Sequence, residues 1–292
     1  MTVDLEIIVA ASAGFCPGVR RAIQRTEQER ESPGGRVVTL GPLVHSAREV
    51  ARLRGAGVEV VDEAAVAPGD RVVIRTHGVP AGSLRRLRSR GPVVDATCPY
   101  VRSCQKLASR MAAAGYAVLL VGDRDHPEVQ SVLSHAADAA RGLPVLVAAT
   151  SGEVPWPALE GIRKLAVLAQ TTSTPETLAE VAGACVGRFV EVRAFDTICR
   201  ATRARQREAR ELARVADVVV VVGDGDSANT ARLIELCAAI QPRTYRVEGA
   251  EEVQASWLQG ARRVAVLGGA ATAEDTVREV AARLAEHARV GE

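Results

Sequence analysis

Two stretches set 101 residues apart run from a β-branched strand through Asp-x-x-Cys into a helix: GPVVDATCPYVRSCQKLASRM around Cys98 and VRAFDTICRATRARQREAREL around Cys199. The agreement continues downstream. VLLVGDRDHPEV and VVVVGDGDSANT place His126 and Ser227 each 28 residues after their cysteine, and LAVLAQTTSTPETL aligns with VAVLGGAATAEDTV. A chain with such a duplication builds the same supersecondary unit more than once. A third copy, matched in pattern more than in identity, opens the sequence. EIIVAASAGFCPGVRRAIQR carries Cys16, VVTLGPLVHSAREV puts His45 29 residues later, and VVIRTHGVPAGSLRRL sets His77 where the second copy has Thr171.

The strands within these copies set the fold class. AVLLVG at 117–122, DVVVVVG at 217–223 and RVAVLGG at 263–269 are apolar on both faces and alternate with Ala/Arg/Glu/Leu segments of helical period. Such runs belong to parallel sheets covered by helices, so the class is α/β. The repeat predicts α/β units over 1–97, 98–195 and 196–292, the first strand packing on the third unit. Packed about a pseudo-threefold axis, three units would turn their strand ends toward one central cavity, where open parallel sheets bind ligands.

With 292 residues, 47% of them hydrophobic, the chain has ample material for packed cores. A net charge of +2 without a basic stripe, and 3% aromatics, argue against a nucleic-acid partner. The start MTVDLEIIVAAS lacks a basic segment followed by a long apolar one, and no apolar run reaches about 18 residues. The expectation is a soluble, cytoplasmic protein with no membrane partner. Six cysteines in a reducing compartment then call for metal binding, catalysis or packing, and without a CxxC pair any metal site must join distant residues.

Cys16, Cys98 and Cys199 each stand where a strand gives way to a helix, and the positive end of a helix dipole favours an anionic ligand there. Three thiolates leave one iron of a 4Fe–4S cluster open to substrate. They could equally hold zinc, with His45, His77 or His126 as fourth ligand, and spacing does not separate the two. An isolated cysteine is more often a small buried hydrophobe; matched repeat positions weigh against that for these three and leave it for Cys104, Cys185 and Cys237. Histidines 45, 77 and 126 lie at strand ends, and with the hydroxyls and amide of Thr171, Thr172, Ser227 and Asn229 they make a natural diphosphate pocket. Taken singly, Ser227 is as readily an N-cap and His135 a structural histidine. Glu128, one residue past Pro127, is either an acid placed by the helix dipole or a proton donor beside His126.

The strings GFCPGVRRAI, LGPLVH, THGV, DATCP, GDRDHPEV, QTTS, TICRATRARQ and DSAN, together spanning about residues 5 to 286, resemble the 4-hydroxy-3-methylbut-2-enyl diphosphate reductase family of the non-mevalonate isoprenoid route. The resemblance implies a trefoil-like fold and one 4Fe–4S cluster per chain on Cys16, Cys98 and Cys199. It implies an allylic diphosphate substrate, reduced to isopentenyl and dimethylallyl diphosphates with electrons from a ferredoxin or flavodoxin. By the same carry-over Glu128, helped by Thr171 and His126, feeds protons, while His45, His77, Ser227 and Asn229 hold the diphosphate. Two departures stand out. Gly269-Ala270-Ala271 replaces the family's Gly-Ala-Ser, leaving Thr272 as the next hydroxyl, and Ser12-Ala13 replaces Pro-Arg before GFC. They leave room for a divergent paralogue with another allylic substrate. Different readings of the same cysteines are a zinc-dependent hydrolase or lyase and a non-catalytic iron–sulfur redox sensor.

Overall fold

The structure, a computed structural model, describes residues 5–290. The chain opens with β1 (Glu6–Val9) and α1 (Pro17–Glu31), then runs β2 (Val37–Leu40), α2 (Ala47–Gly55), β3 (Val58–Val61), β4 (Arg71–Ile74), α3 (Ala81–Arg90) and β5 (Val93–Asp95). It continues through α4 (Pro99–Ala113), β6 (Ala117–Val121), α5 (Pro127–Ala137), β7 (Val145–Ala148), β8 (Lys164–Ala169), α6 (Pro175–Cys185) and β9 (Glu191–Ala194). Last come α7 (Arg200–Val215), β10 (Val218–Val222), α8 (Ala228–Ala238), β11 (Thr244–Val247), β12 (Arg263–Gly268) and α9 (Glu274–Val290).

The strands form three four-stranded sheets, ordered β3-β2-β4-β5, β7-β6-β8-β9 and β11-β10-β12-β1, every pair parallel. Read in chain order each is second, first, third, fourth, except that β1 fills the fourth place of the last sheet, with Glu6 opposite Arg263 and Val9 opposite Val266. The α/β expectation holds. By contacts the chain divides into two compact units. One comprises the stretch up to Arg20, Val44–Arg52 and the stretch from Arg200 onward; the other is Arg21–Leu43 with Leu53–Cys199. The first holds the sheet containing β10, and the second holds the other two sheets.

Helices on both faces of a sheet dictate the composition of its central strands. β6 and β10 are buried at every residue, and β8 and β12 at all but the first. One side of the β6 sheet packs Leu120, Val118 and Leu168 with Met111 and Ala108 of α4 and Val132 of α5; the other packs Leu119, Val167 and Leu165 with Val181 of α6. Cys104 and Cys185 belong to these two cores, and Cys237 to the core beneath α7 and α8. Burial pushes the thiols of Cys104 and Cys237 up to about 12, so they pack as neutral hydrophobes, as their place outside the repeat predicts. Among the described residues no helix is long and apolar enough to cross a membrane.

Each fully buried leucine contributes about 2 kcal/mol of transfer free energy plus whatever cavity its removal leaves. Leu119→Ala should therefore lower the unfolding free energy by about 3 kcal/mol in urea titration, whereas truncating Val186, 70% exposed, should change it by less than about 0.5 kcal/mol.

Candidate functional site

The three repeat cysteines occupy the same backbone corner. The N–H of Cys98 donates to the carbonyl of Thr76 at 2.9 Å, that of Cys199 to Thr171 at 3.0 Å, and that of Cys16 to Ala270 at 2.9 Å. Each acceptor lies two residues past the last residue of the third strand of its sheet: β4, β8 and β12. In two of the corners the aspartate of Asp-x-x-Cys shapes the turn. Asp95 Oδ1 accepts from Thr97 N at 3.1 Å, and Asp196 Oδ1 from Ile198 N at 3.2 Å. An Asx turn of this kind ends the strand and delivers the cysteine to the first turn of a helix, α4 after Cys98 and α7 after Cys199. At the N-terminal corner Gly14, at φ +104°, turns the chain instead, and the N–H of Val19 in α1 donates to Cys16 Sγ at 3.4 Å. None of the three is in a disulfide and all are partly exposed, unlike the buried Cys104, Cys185 and Cys237.

This correspondence corrects one alignment. Thr76, Thr171 and Ala270 are equivalent by their bonds to the cysteines, so His77 matches Thr172 and Ala271, not Thr171. One step further, the hydroxyls of Ser173 and Thr272 donate to the carbonyls of Val121 and Val222, the last residues of β6 and β10, at 3.2 and 2.9 Å. The hydroxyl proton of Thr272 thus serves a strand end, and the donor absent at Ala271 is not restored by it.

The chemistry in the larger unit centres on Glu128, 2% exposed. Its Oε1 accepts from the backbone N–H of Thr171 at 2.6 Å, and its Oε2 lies 2.7 Å from the Thr171 hydroxyl. Burial nevertheless outweighs these bonds and raises the carboxyl above its usual range. A buried carboxyl that holds its proton more tightly than usual, with Thr171 as a relay, suits a proton donor. His126 caps α5: its Nδ1 accepts from Glu128 N at 3.1 Å, so the neutral ring carries its proton on Nε2. The ring of His77 meets that of His126 edge-on, centroids 5.3 Å apart. Thr172 is half-buried beside Thr171. Sequence reasoning passed over Gln170, the residue just before this pair. Its Oε1 accepts from Asp123 N at 3.0 Å, and its buried Nε2 has no acceptor among the described residues.

The other unit repeats the design with different residues. Ser227, equivalent to His126, caps α8 by accepting from Thr230 N at 3.3 Å. Asn229, 101 residues after Glu128, is buried with its Nδ2 lacking an acceptor among the described residues. Thr230, 1% exposed, has its hydroxyl in the same condition. A Cβ on Gly223 or Gly269 would stand 2.5 Å from that hydroxyl, which explains glycine at both strand ends. Thr230 was not singled out from the sequence, although its place three residues past a capping serine could have marked it. His45 precedes Ser46, the cap of α2, and Asp224 Oδ2 fixes that helix start by accepting from Ala47 N at 2.6 Å. Buried donors without acceptors cost of order 1–3 kcal/mol each, and an anionic ligand would satisfy them.

Three parallel sheets, cysteines at three matching helix starts and a buried carboxyl place the protein in the class of α/β enzymes. The LytB protein family matches residues 7–285. A Geobacter sulfurreducens protein named 4-hydroxy-3-methylbut-2-enyl diphosphate reductase is 44% identical over 283 residues, 97% of this chain and 98% of its own length. One of the same name from Anaeromyxobacter is 44% identical over 280 residues, 95% and 96% of the two chains. The chain belongs to the LytB family. A solved structure of (E)-4-hydroxy-3-methyl-but-2-enyl diphosphate reductase, the terminal enzyme of the non-mevalonate pathway, is 37% identical at TM-score 0.72, covering 97% of this chain and 99% of that one. A Plasmodium falciparum structure, 20% identical at TM-score 0.84 over 94% and 86% of the chains, shares the fold.

The raised carboxyl makes a pH-dependent prediction. The folded state holds the Glu128 proton more tightly than the unfolded chain. Its stabilising contribution is therefore complete below the unfolded value of about 4.5 and is lost as pH rises through the folded value. Thermal melts between about pH 4 and pH 8 should show the wild type losing stability where Glu128→Gln does not; parallel curves would mean that the carboxyl titrates normally.

Proposed function

We propose that the protein reduces 4-hydroxy-3-methylbut-2-enyl diphosphate to isopentenyl and dimethylallyl diphosphates, and that α/β units over 1–97, 98–195 and 196–292 enclose the site. The observation that carries this reading is the backbone corner made three times, at Cys16, Cys98 and Cys199, together with a buried Glu128 whose carboxyl holds its proton more tightly than usual. Three partly exposed thiols at helix starts, outside any disulfide and set against three buried ones, fit a cluster with one iron left without a protein ligand. Held there, one 4Fe–4S cluster would supply the electrons and a position for the allylic oxygen.

The remaining work falls to the side chains. Two electrons and two protons break the allylic C–O bond, release water and form a C–H bond. Glu128 holds the proton at an oxygen bonded to the Thr171 hydroxyl, so Thr171 orients it and passes it on, with His126 fixing the start of α5 behind it. His45, His77, His126, Thr172, Ser227 and Asn229 hold the diphosphate; the Asn229 amide, the Ser227 hydroxyl and the imidazole N–H groups, that of His126 on Nε2, are its donors. Ala271 leaves that lining one hydroxyl short, and Thr272, whose proton goes to Val222, contributes shape. A reductase needs an electron donor, and a ferredoxin or flavodoxin fits this chain. Six cysteines outside any disulfide suit a cytoplasmic setting.

The test is anaerobic turnover with dithionite and methyl viologen. The purified protein should be brown, absorb near 400 nm (a general property of such clusters) and contain about four irons per chain; stoichiometric zinc without iron would sink the reading. Glu128→Gln should lower kcat by at least about 100-fold with the spectrum intact. Ala271→Ser should lower KM for the diphosphate by roughly three- to tenfold at unchanged kcat; an unaltered KM would place the diphosphate elsewhere.

A further inference from the structure

The larger unit carries a feature the reaction does not use. α3 (AGSLRRLRSR) and α4 (PYVRSCQKLASRMAA) bear seven arginines and lysines between them and no acid. They border an open groove of about 470 Å³ lined by Leu84, Arg88, Asp95, Arg102, Lys106 and His135, among others. Asp95 is the single carboxylate of the lining, and it is already engaged by Arg102 at 2.9 Å and Arg88 at 3.8 Å. Arg85 and Arg86 are paired outward with Asp138 and Glu63. Among the described residues Lys106 and Arg110, both exposed, have no carboxylate at ion-pair distance, and Arg90 acts on Glu63 only from further off. Cations also crowd behind the groove: Arg25 and Arg102 both donate to the Asp95 carbonyl, and Arg21 donates to that of Thr97.

This cationic strip, assembled from two helices and not picked out in the sequence, adjoins the Cys98 end of α4. Cys98 is the N-cap of α4, and the N–H of Arg102 donates to the Cys98 carbonyl at 2.9 Å. Lys106 stands about two turns along the same helix, about 12 Å from the cysteine at 1.5 Å per residue. The charge is spread along two helices and includes exposed side chains with no acid to answer them. It therefore forms an extended field that steers and orients a large partner, in contrast to a closed clamp around a small anion.

We propose that the groove between α3 and α4 is the docking face for a small, acidic one-electron carrier protein that passes electrons toward Cys98. This rests on the reductive function above. Two carriers in turn each lose one electron, and the two electrons and two protons together match the cleavage of one allylic C–O bond to water and a C–H bond.

The experiment uses the anaerobically loaded protein, an acidic reduced ferredoxin and, in parallel, methyl viologen. Ferredoxin binding by biolayer interferometry and ferredoxin-driven turnover should both weaken as salt rises. In the double variant Arg88→Glu, Lys106→Glu both should fall roughly tenfold, with the salt dependence flattened and viologen-driven turnover kept within about twofold. Unchanged ferredoxin affinity in the variant would overturn the proposal. A parallel fall with viologen, repeated in Arg88→Gln, Lys106→Gln, would also overturn it by making the groove structural. Saturable binding of inorganic diphosphate, lost in the double variant while ferredoxin binding persists, would make the groove a small-anion site and reject the carrier. Absent viologen-driven turnover in the wild type would reject the reductase reading alone, because carrier binding still reports on the groove.

Discussion

One backbone hydrogen bond, made three times, organises this protein. The N–H of a cysteine reaches the carbonyl two residues beyond the neighbouring strand's end, and so fixes a thiol at the junction of strand and helix. Without that bond the loop after the fourth strand could leave the sheet in many directions. With it, the sulfur, the first helical turn and the strand-end residues next door are held in one geometry. Thr76, Thr171 and Ala270 hold the cysteines through their carbonyls, so their side chains are free to differ. That freedom lets one corner carry the threonine that grips Glu128 while another carries a bare alanine.

The sheets behind these corners supply the rigidity. A strand such as β10, five valines buried on both sides, has no face to turn to water and is stable only between two layers of helices. The strand ends inherit that fixity. At them the protein accepts local costs: a carboxyl buried as deeply as Glu128, an unanswered amide on Asn229, an unanswered hydroxyl on Thr230. Such groups are costly to bury by themselves, and an anionic ligand would offset the cost of the unanswered donors.

The repeat explains which polar residues matter and how their roles diverge. His126 and Ser227 occupy the same capping position, and each accepts a backbone N–H of its own helix. Glu128 and Asn229 follow at the next equivalent position, one able to release a proton and the other only to donate a neutral hydrogen bond. Duplication preserved the scaffold while the side chains diverged between an ionisable carboxyl and a neutral amide. The same logic identifies the buried thiols: Cys104, Cys185 and Cys237 have no counterparts at the corners and pack in hydrophobic cores.

Much of this was legible in the sequence. The 101-residue period singled out Cys98 and Cys199, the valine-rich runs required parallel sheets, and the Asp-x-x-Cys string marked the strand-to-helix turn. These are local or periodic properties, and a linear pattern records them. What the sequence did not contain was the register across strands. Whether His77 answers Thr171 or Thr172 depends on a hydrogen bond between Thr76 and Cys98. Whether Thr272 can stand in for a missing hydroxyl depends on the Val222 carbonyl that takes its proton. The state of Glu128 depends on burial, which is set by the elements packed around it. Spacing along the chain named the chemical groups; only packing across it decided which of their protons and lone pairs are free to act, because desolvation and hydrogen-bond partners are properties of neighbours in space.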